Sequence, residues 1–236
     1  MNTRAKRLKL YHSPAVRSAR VKWLLHELVG DDFDVETVAL SNAEQYREEF
    51  LAINPNHAVP VLEIAMADGQ PFHMIESGAM VALLADTFPE KNLAPMPHII
   101  TADRADYLQM LHFGATTMDM MLWQIRIHED LLSASERDDR TIRRYRRKFE
   151  AEVEPQLKQR LARMPFICGA AFSAADCVIG YNVLWARAFE LCSAPLFGEY
   201  VARLSARSAF KSAFSDRQKF TRLLPEDSSL RTKFTG

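Results

Sequence analysis

The stretch from Asn54 to Met80 limits what this chain can fold into more than any other. It reads Asn-Pro-Asn-His-Ala-Val-Pro-Val-Leu-Glu, then Asp68-Gly69-Gln70, then Phe72-His73-Met74-Ile75-Glu76-Ser77-Gly78-Ala79-Met80. Two short apolar runs, Val61–Ile64 and Phe72–Ile75, flank an Asp-Gly turn signal, which predicts a β-hairpin. A residue before proline is pushed toward extended geometry, and X-Pro is the bond type in which the cis form is least costly. Pro60 at the start of a strand therefore predicts a kink that leaves the N–H and C=O of Val59 outside the ladder. Those groups are placed to pair with an extended, peptide-like ligand, as in strand addition. Glu76-Ser77 ends the second strand and opens a helix. Ser77 is expected to cap N–H groups that also attract a carboxylate.

The flanking sequence completes a pattern. Leu8–Tyr11 reads as a short strand, and Ser13-Pro14 marks the turn into a helix, with proline suited to the first helical turn. Val16, Val21, Trp23, Leu24, Leu25 and Leu28 keep helical spacing up to a Gly30 stop. Phe33–Val38 alternates as a strand does, Glu44–Ile53 is a weaker helix, and Gly78–Phe88 is the helix after Ser77. The order βαβ, α, ββ, α is the thioredoxin-like layout. Phe88 to Pro97 carries three prolines and reads as a linker between residues 1–88 and 98–236. Beyond it the pattern predicts helices from Thr101 to about Asp130, Glu136 to about Arg163 and Ala174 to about Glu190. Two shorter helices reach about Phe214, and the last twenty residues read as an irregular tail. The expected architecture is an α/β thioredoxin-like N-terminal domain followed by an all-α helical-bundle C-terminal domain. Ser173-Ala174-Ala175-Asp176 matches a reciprocal capping pattern, so Asp176 is assigned to folding and not to catalysis.

Composition excludes several functions. Lys plus Arg equals Asp plus Glu, 30 against 30, so no global charge argues for nucleic acid. The halves differ: residues 1–90 hold 8 basic and 13 acidic residues, and residues 91–236 hold 22 and 17, which fits two units of different character. The basic run Arg143 to Lys148 is surrounded by acids and reads as a solvated helix face. Cys168, Cys177 and Cys192 are sparse and odd in number, which indicates a reducing cytosol and no disulfide framework. None lies near the first βα turn, so a cysteine-based thiol transfer is not expected there. Phe166 to Ala186 is nearly uncharged, but its glycines, Asn182 and the cap at Ser173 favour a buried helix over a membrane span. Seven histidines show no metal spacing, so no metal is expected. His12 is expected to face solvent.

The Asn-Pro-x-x-x-Val-Pro-x-Leu run and the Glu-Ser-x-Ala pair, after a matching first βα unit, resemble the glutathione S-transferase family over roughly Leu8 to Phe214. The resemblance implies a thioredoxin-like domain that binds glutathione, with a cis-proline before its third strand, and an all-helical second domain. Val59, Pro60, Glu76 and Ser77 fall on the glutathione-binding positions. Where the family has glycine followed by lysine, glutamine or arginine, this chain has His57 and Ala58.

Glutathione chemistry needs a thiolate near neutral pH. A free thiol titrates near ~8.5, so the site must lower it by ~2 units, or about 2.7 kcal/mol. A helix N-terminus and a hydroxyl donor aimed at sulfur both favour the anion. The turn Tyr11-His12-Ser13-Pro14-Ala15-Val16-Arg17-Ser18 supplies hydroxyls and a cation. The family has a style in which a tyrosine ends the first strand and one in which a serine begins the helix, four residues before an arginine. Ser13 with Arg17 fits the second spacing, and alignment on Trp23-Leu24-Leu25 puts Tyr11 on the first. His112 and Thr116, on the first long helix, are candidates to line an apolar acceptor pocket. The implied function is a cytoplasmic, homodimeric glutathione S-transferase that joins glutathione to an electrophilic, mostly apolar small molecule in detoxification, with no nucleic-acid or membrane partner. Alternatives on the same site are peroxide reduction, isomerisation or dehalogenation, and a non-catalytic scaffold shares the fold.

Overall fold

The protein is described by a computed structural model over residues 8–219. Strand β1 (Leu8–His12) is followed by helix α1 (Ser18–Val29), β2 (Asp34–Thr37), the short helix α2 (Glu48–Ile53), β3 (Val61–Ala65), β4 (Pro71–Met74) and α3 (Ser77–Thr87). The four strands form one sheet in the order β2-β1-β3-β4, with β1 parallel to β2 and antiparallel to β3. The Asp-Gly turn closes the β3–β4 hairpin with Gly69 at φ 82°, a left-handed conformation that glycine adopts at little cost. Strand alternation sends Leu10 and Leu62 into the main core with α1 and α3. Tyr11 and Val61 go to the opposite face with Phe50 of α2.

Three local expectations shift. Helix α1 begins at Ser18 and not near Pro14, because Ala15 sits at φ 56° and the Ser18 hydroxyl holds both the N–H and the C=O of Ser13 in a tight turn. The stretch predicted as one helix over 44–53 breaks into a 3₁₀ turn at Glu44–Tyr46 and α2, because Arg47 between them is extended. Ser77 is the first residue of α3 and not its cap. That place falls to Glu76 at φ 72°.

The rest is helical. Residues 102–131 run as one rod: α4 (Ala102–His112), a π-helical turn, α5 (Asp119–Arg126) and a second π-helical turn. A second rod joins α6 (Asp139–Lys148) to α7 (Glu154–Leu161) through another π turn. Helix α8 (Ala174–Ala188) is buried along nearly its whole length, and α9 (Pro195–Ser205), α10 (Ser208–Ala213) and a 3₁₀ turn at Arg217–Lys219 follow. The first helix is the hinge between the sheet and this bundle. Trp23 of α1 is fully buried against Phe172, Phe210 and Phe214, with ring centroids 5.5, 5.0 and 6.2 Å away. Arg207 clamps Glu27 at 2.6 and 2.8 Å. Gly78 lets α3 meet the first rod closely, since a Cβ there would lie 2.9 Å from that of Ala115. Among the described residues no helix is long and apolar enough to cross a membrane.

Candidate functional site

A cleft of about 400 Å³ opens where the sheet meets the bundle. One wall comes from the first βα turn (Val16, Arg17) and from the loop before β3 (Asn56, His57, Ala58, Val59). The Val59-Pro60 bond is cis, as the resemblance implies, and Val59 precedes the first paired residue of β3, as the proline signal predicted. Asn54 shapes this loop: its amide donates to the Ala58 carbonyl at 2.8 Å, and its oxygen accepts the Asn56 N–H at 3.0 Å. The opposite wall is Trp123, Arg126 and Leu131 of the first rod with Trp185 of α8. A second cavity of about 310 Å³ shares Arg126, Leu131 and Trp185 and is lined further by Tyr181, Phe189, Phe210 and Phe214.

Arg17 sits at the seam. Its guanidinium lies 4.7 Å from the Trp123 ring and 5.3 Å from the Trp185 ring, and its Nε donates to Asp119 at 2.8 Å. Asp119 also accepts from Arg20, one helical turn further along α1. Arg20 is 1% exposed and donates to the Ser77 hydroxyl at 3.3 Å and to the Asn182 side-chain oxygen at 2.5 Å. Burial alone would raise the Asp119 carboxyl, but the charges of Arg20 and Arg17 outweigh it and hold the group below its ordinary range. One carboxylate of the bundle thus ties the first turn of α1 to the head of α3. The pairing spans 99 and 102 residues, so nothing in the local sequence announces it.

The structure brings Arg17, His57 and Val59 to one cleft, with the buried Pro60 just behind. Ser77 joins them through Arg20, while Glu76 is exposed. The two hydroxyls considered for thiol activation do not line the cleft, although Tyr11 packs with Val16 and Val59, which do. Tyr11 points to the α2 face and donates to Glu63 at 2.9 Å. Burial and then that bond raise its pKa, which is the wrong direction for activation. Ser13 is buried in the turn and does not line the cleft; Val16 and Arg17 do. His12 is fully buried and not solvent-facing. His112 and Thr116 are exposed on the outside of the rod, with the Thr116 hydroxyl donating back to the His112 carbonyl at 2.7 Å. The rod turns Asp119, Trp123 and Arg126 inward instead. Trp123 and Trp185 come from different helices, so no local signal marks them as neighbours. Burial disfavours the thiolate at all three cysteines, pushing Cys168 up to about 12 and raising Cys177 and Cys192 as well.

A mixed four-stranded sheet with a cis-proline loop, followed by a helical region, defines a thioredoxin-like unit joined to a bundle across a ligand-sized cleft. Residues 6–86 match the family of glutathione S-transferase N-terminal domains. Over 220 residues the chain is 29% identical to the disulfide-bond oxidoreductase YfcG of Escherichia coli, covering 89% of this chain and 96% of that protein. A solved glutathione transferase from Methylococcus capsulatus is 25% identical and superimposes with a TM-score of 0.75 over 90% of this chain and all of its own. Another, from Burkholderia graminis, holds two glutathione molecules per subunit; it is 24% identical, with a TM-score of 0.75 over 91% of this chain and 90% of its own. The N-terminal domain thus matches the glutathione S-transferase family, and the chain as a whole is similar to members of that family.

Proposed function

We propose that this protein is a glutathione S-transferase, which binds glutathione along the loop before β3 and transfers its sulfur to an electrophilic, mostly apolar small molecule. The observation that carries this is the meeting of Val59, the start of α1 and the Trp123–Trp185 pair in one cleft. The unpaired backbone of Val59 offers strand-like hydrogen bonds to the peptide part of the ligand. Ser77 and the start of α3 receive a carboxylate. The sulfur lies at the start of α1, where the N–H groups of Val16 and Arg17, the residues of this turn that line the cleft, precede the first intrahelical hydrogen bonds. Those N–H groups and the Arg17 charge stabilise the thiolate, in place of the Ser13 or Tyr11 hydroxyl. The indole walls take the acceptor. We take residues 1–88 and 98–236 as the two domains, and the protein as a cytoplasmic homodimer.

A second reading uses the same thiolate against a disulfide. The likeness to the oxidoreductase of E. coli favours it, as does a first turn that offers the sulfur no side-chain hydroxyl. The test is retention on immobilised glutathione, followed by turnover of an aryl halide and of a small organic disulfide. The transferase reading expects a glutathione conjugate from the halide. Oxidised glutathione formed from the disulfide, with no conjugate, selects the second reading. A protein that neither binds glutathione nor turns over either substrate overturns both.

A further inference from the structure

The turn from Ser13 to Arg17 is held from behind by buried polar groups that the proposed chemistry does not use. The Ser18 hydroxyl oxygen accepts the Ser13 N–H at 3.1 Å and lies 2.9 Å from the Ser13 carbonyl. The same oxygen is 2.8 Å from His12 Nδ1, and His12 Nε2 is 3.2 Å from an oxygen of Asp216, in the turn after α10. Lys22 Nζ donates to that Asp216 oxygen at 2.5 Å. His12 and Ser18 are fully buried, so their donors and acceptors must be matched inside the protein.

The groups fix a direction. Burial alone would raise the Asp216 carboxyl, but bonds from His12 and Lys22 hold it below the usual range, so Asp216 is an acceptor. Burial pushes His12 down against the pull of Asp216, and the charges of Lys22 and His26 act in the same sense as burial. The neutral ring therefore keeps its proton on Nε2, facing Asp216, and leaves Nδ1 to accept from Ser18. Ser18 has one hydroxyl proton and two candidate acceptors. Asp216 thus decides, through His12, how that one proton is shared between the ring and the Ser13 carbonyl. An amide at position 216 can donate to Nε2 and reverse the order, sending the Ser18 proton to the carbonyl of the turn.

We propose that Asp216 is a positioning residue for the thiol site. Acting through His12 and Ser18, it sets the conformation of the turn from Ser13 to Arg17, and with it the N–H groups that hold the glutathione sulfur. This rests on the reading of the cleft as a glutathione site. A residue at the far end of the chain, 204 positions from His12, completes a turn that the first βα unit cannot fix alone.

Three variants of the full chain test it. Asp216→Asn reverses the order. His12→Gln keeps a donor for Asp216 but does not reach Ser18. Lys22→Met removes the other cation on Asp216 and leaves the relay in place. Without ligand, nitrogen–proton NMR spectra are expected to show the amide signals of Val16, Arg17 and Ser18 moved in the first two variants and unmoved in Lys22→Met. With glutathione, the pH midpoint of the ultraviolet thiolate absorbance rises by about one unit in the first two, about tenfold less thiolate at a given pH. In those two kcat falls in step while the KM for glutathione is unchanged. Should Asp216→Asn fail to fold, His12→Gln decides. Amide signals that stay in place in the folded variants, or that move equally in Lys22→Met, overturn the proposal. Amides that move as expected in a protein showing no bound thiolate uphold the link from Asp216 to the turn and overturn the glutathione reading instead.

Discussion

Asp119 carries two arginines, and its environment sets a pH dependence. Its carboxyl is held below the ordinary value in the folded chain, so the unfolded chain binds its proton more readily. The stability it contributes is fully present above the unfolded value, near ~3.9, and is lost as the pH falls through the lower, folded one. Asp119→Asn is therefore expected to melt lower than wild type at neutral pH and to lose less on acidification below about pH 4. Thermal melts at a series of pH values check this, and parallel acid limbs for the two proteins would count against it. The same residue explains why Arg17 is not a freely swinging cation. With Asp119 on its edge and indoles near its faces, it is held at the seam of the cleft at a reduced cost in side-chain entropy.

At the scale of the element, α8 supports much of the site. It brings Asn182 to Arg20, Tyr181 over the same guanidinium at 4.7 Å, and Trp185 to the cleft. Its start is fixed by Asp176, which is fully buried and accepts from the Ser173 N–H, the Ser173 hydroxyl, the Ile167 N–H and the Tyr200 hydroxyl at 2.7–3.0 Å. Removing the carboxylate strands four donors in the core. Asp176→Ala should lower stability by about 3 kcal/mol, more than a surface cap is worth, while glutathione affinity at low temperature is kept. Urea unfolding with calorimetry separates the two effects. Normal unfolding with lost turnover would make Asp176 a functional residue after all.

At the scale of the molecule, the sheet and the bundle are not independent. Trp23 is packed by α10, Arg207 grips Glu27, and Asp119 joins α1 to the first rod, so the cleft is as rigid as the contact between the two halves. Among the large apolar residues of the sheet side that stay outside this contact, Phe72 of β4 is 55% exposed and Leu83 of α3 is 43% exposed. If the protein is the homodimer proposed above, these two residues are expected to be covered. Sedimentation equilibrium is expected to return twice the chain mass of 26.9 kDa, and replacing Phe72 by Glu to return the single mass. A wild-type protein that sediments as a monomer at micromolar concentration would remove the dimer from the account.

The sequence by itself determined the parts of this protein that are local. The hairpin around Gly69, the kink at Pro60, the capped start of α8 and the order of strands and helices follow from signals within a few residues of one another. Period-two and period-3.6 patterns, turn chemistry and i to i+3 caps act over such distances. Tertiary structure decided which way the candidates face. Strand alternation put Tyr11 opposite Leu10, but only the packing of α2 on that face and the reach of Glu63 decided where its hydroxyl goes. Ser13 carried the right spacing to Arg17, yet a left-handed Ala15 and the Ser18 hydroxyl delayed the helix and gave the cleft to Val16. His12 was hidden by Asp216, and Arg17 and Arg20 were fixed by Asp119, partners between 99 and 204 residues away. Such pairings depend on how two separately patterned halves dock. No window of sequence contains both partners.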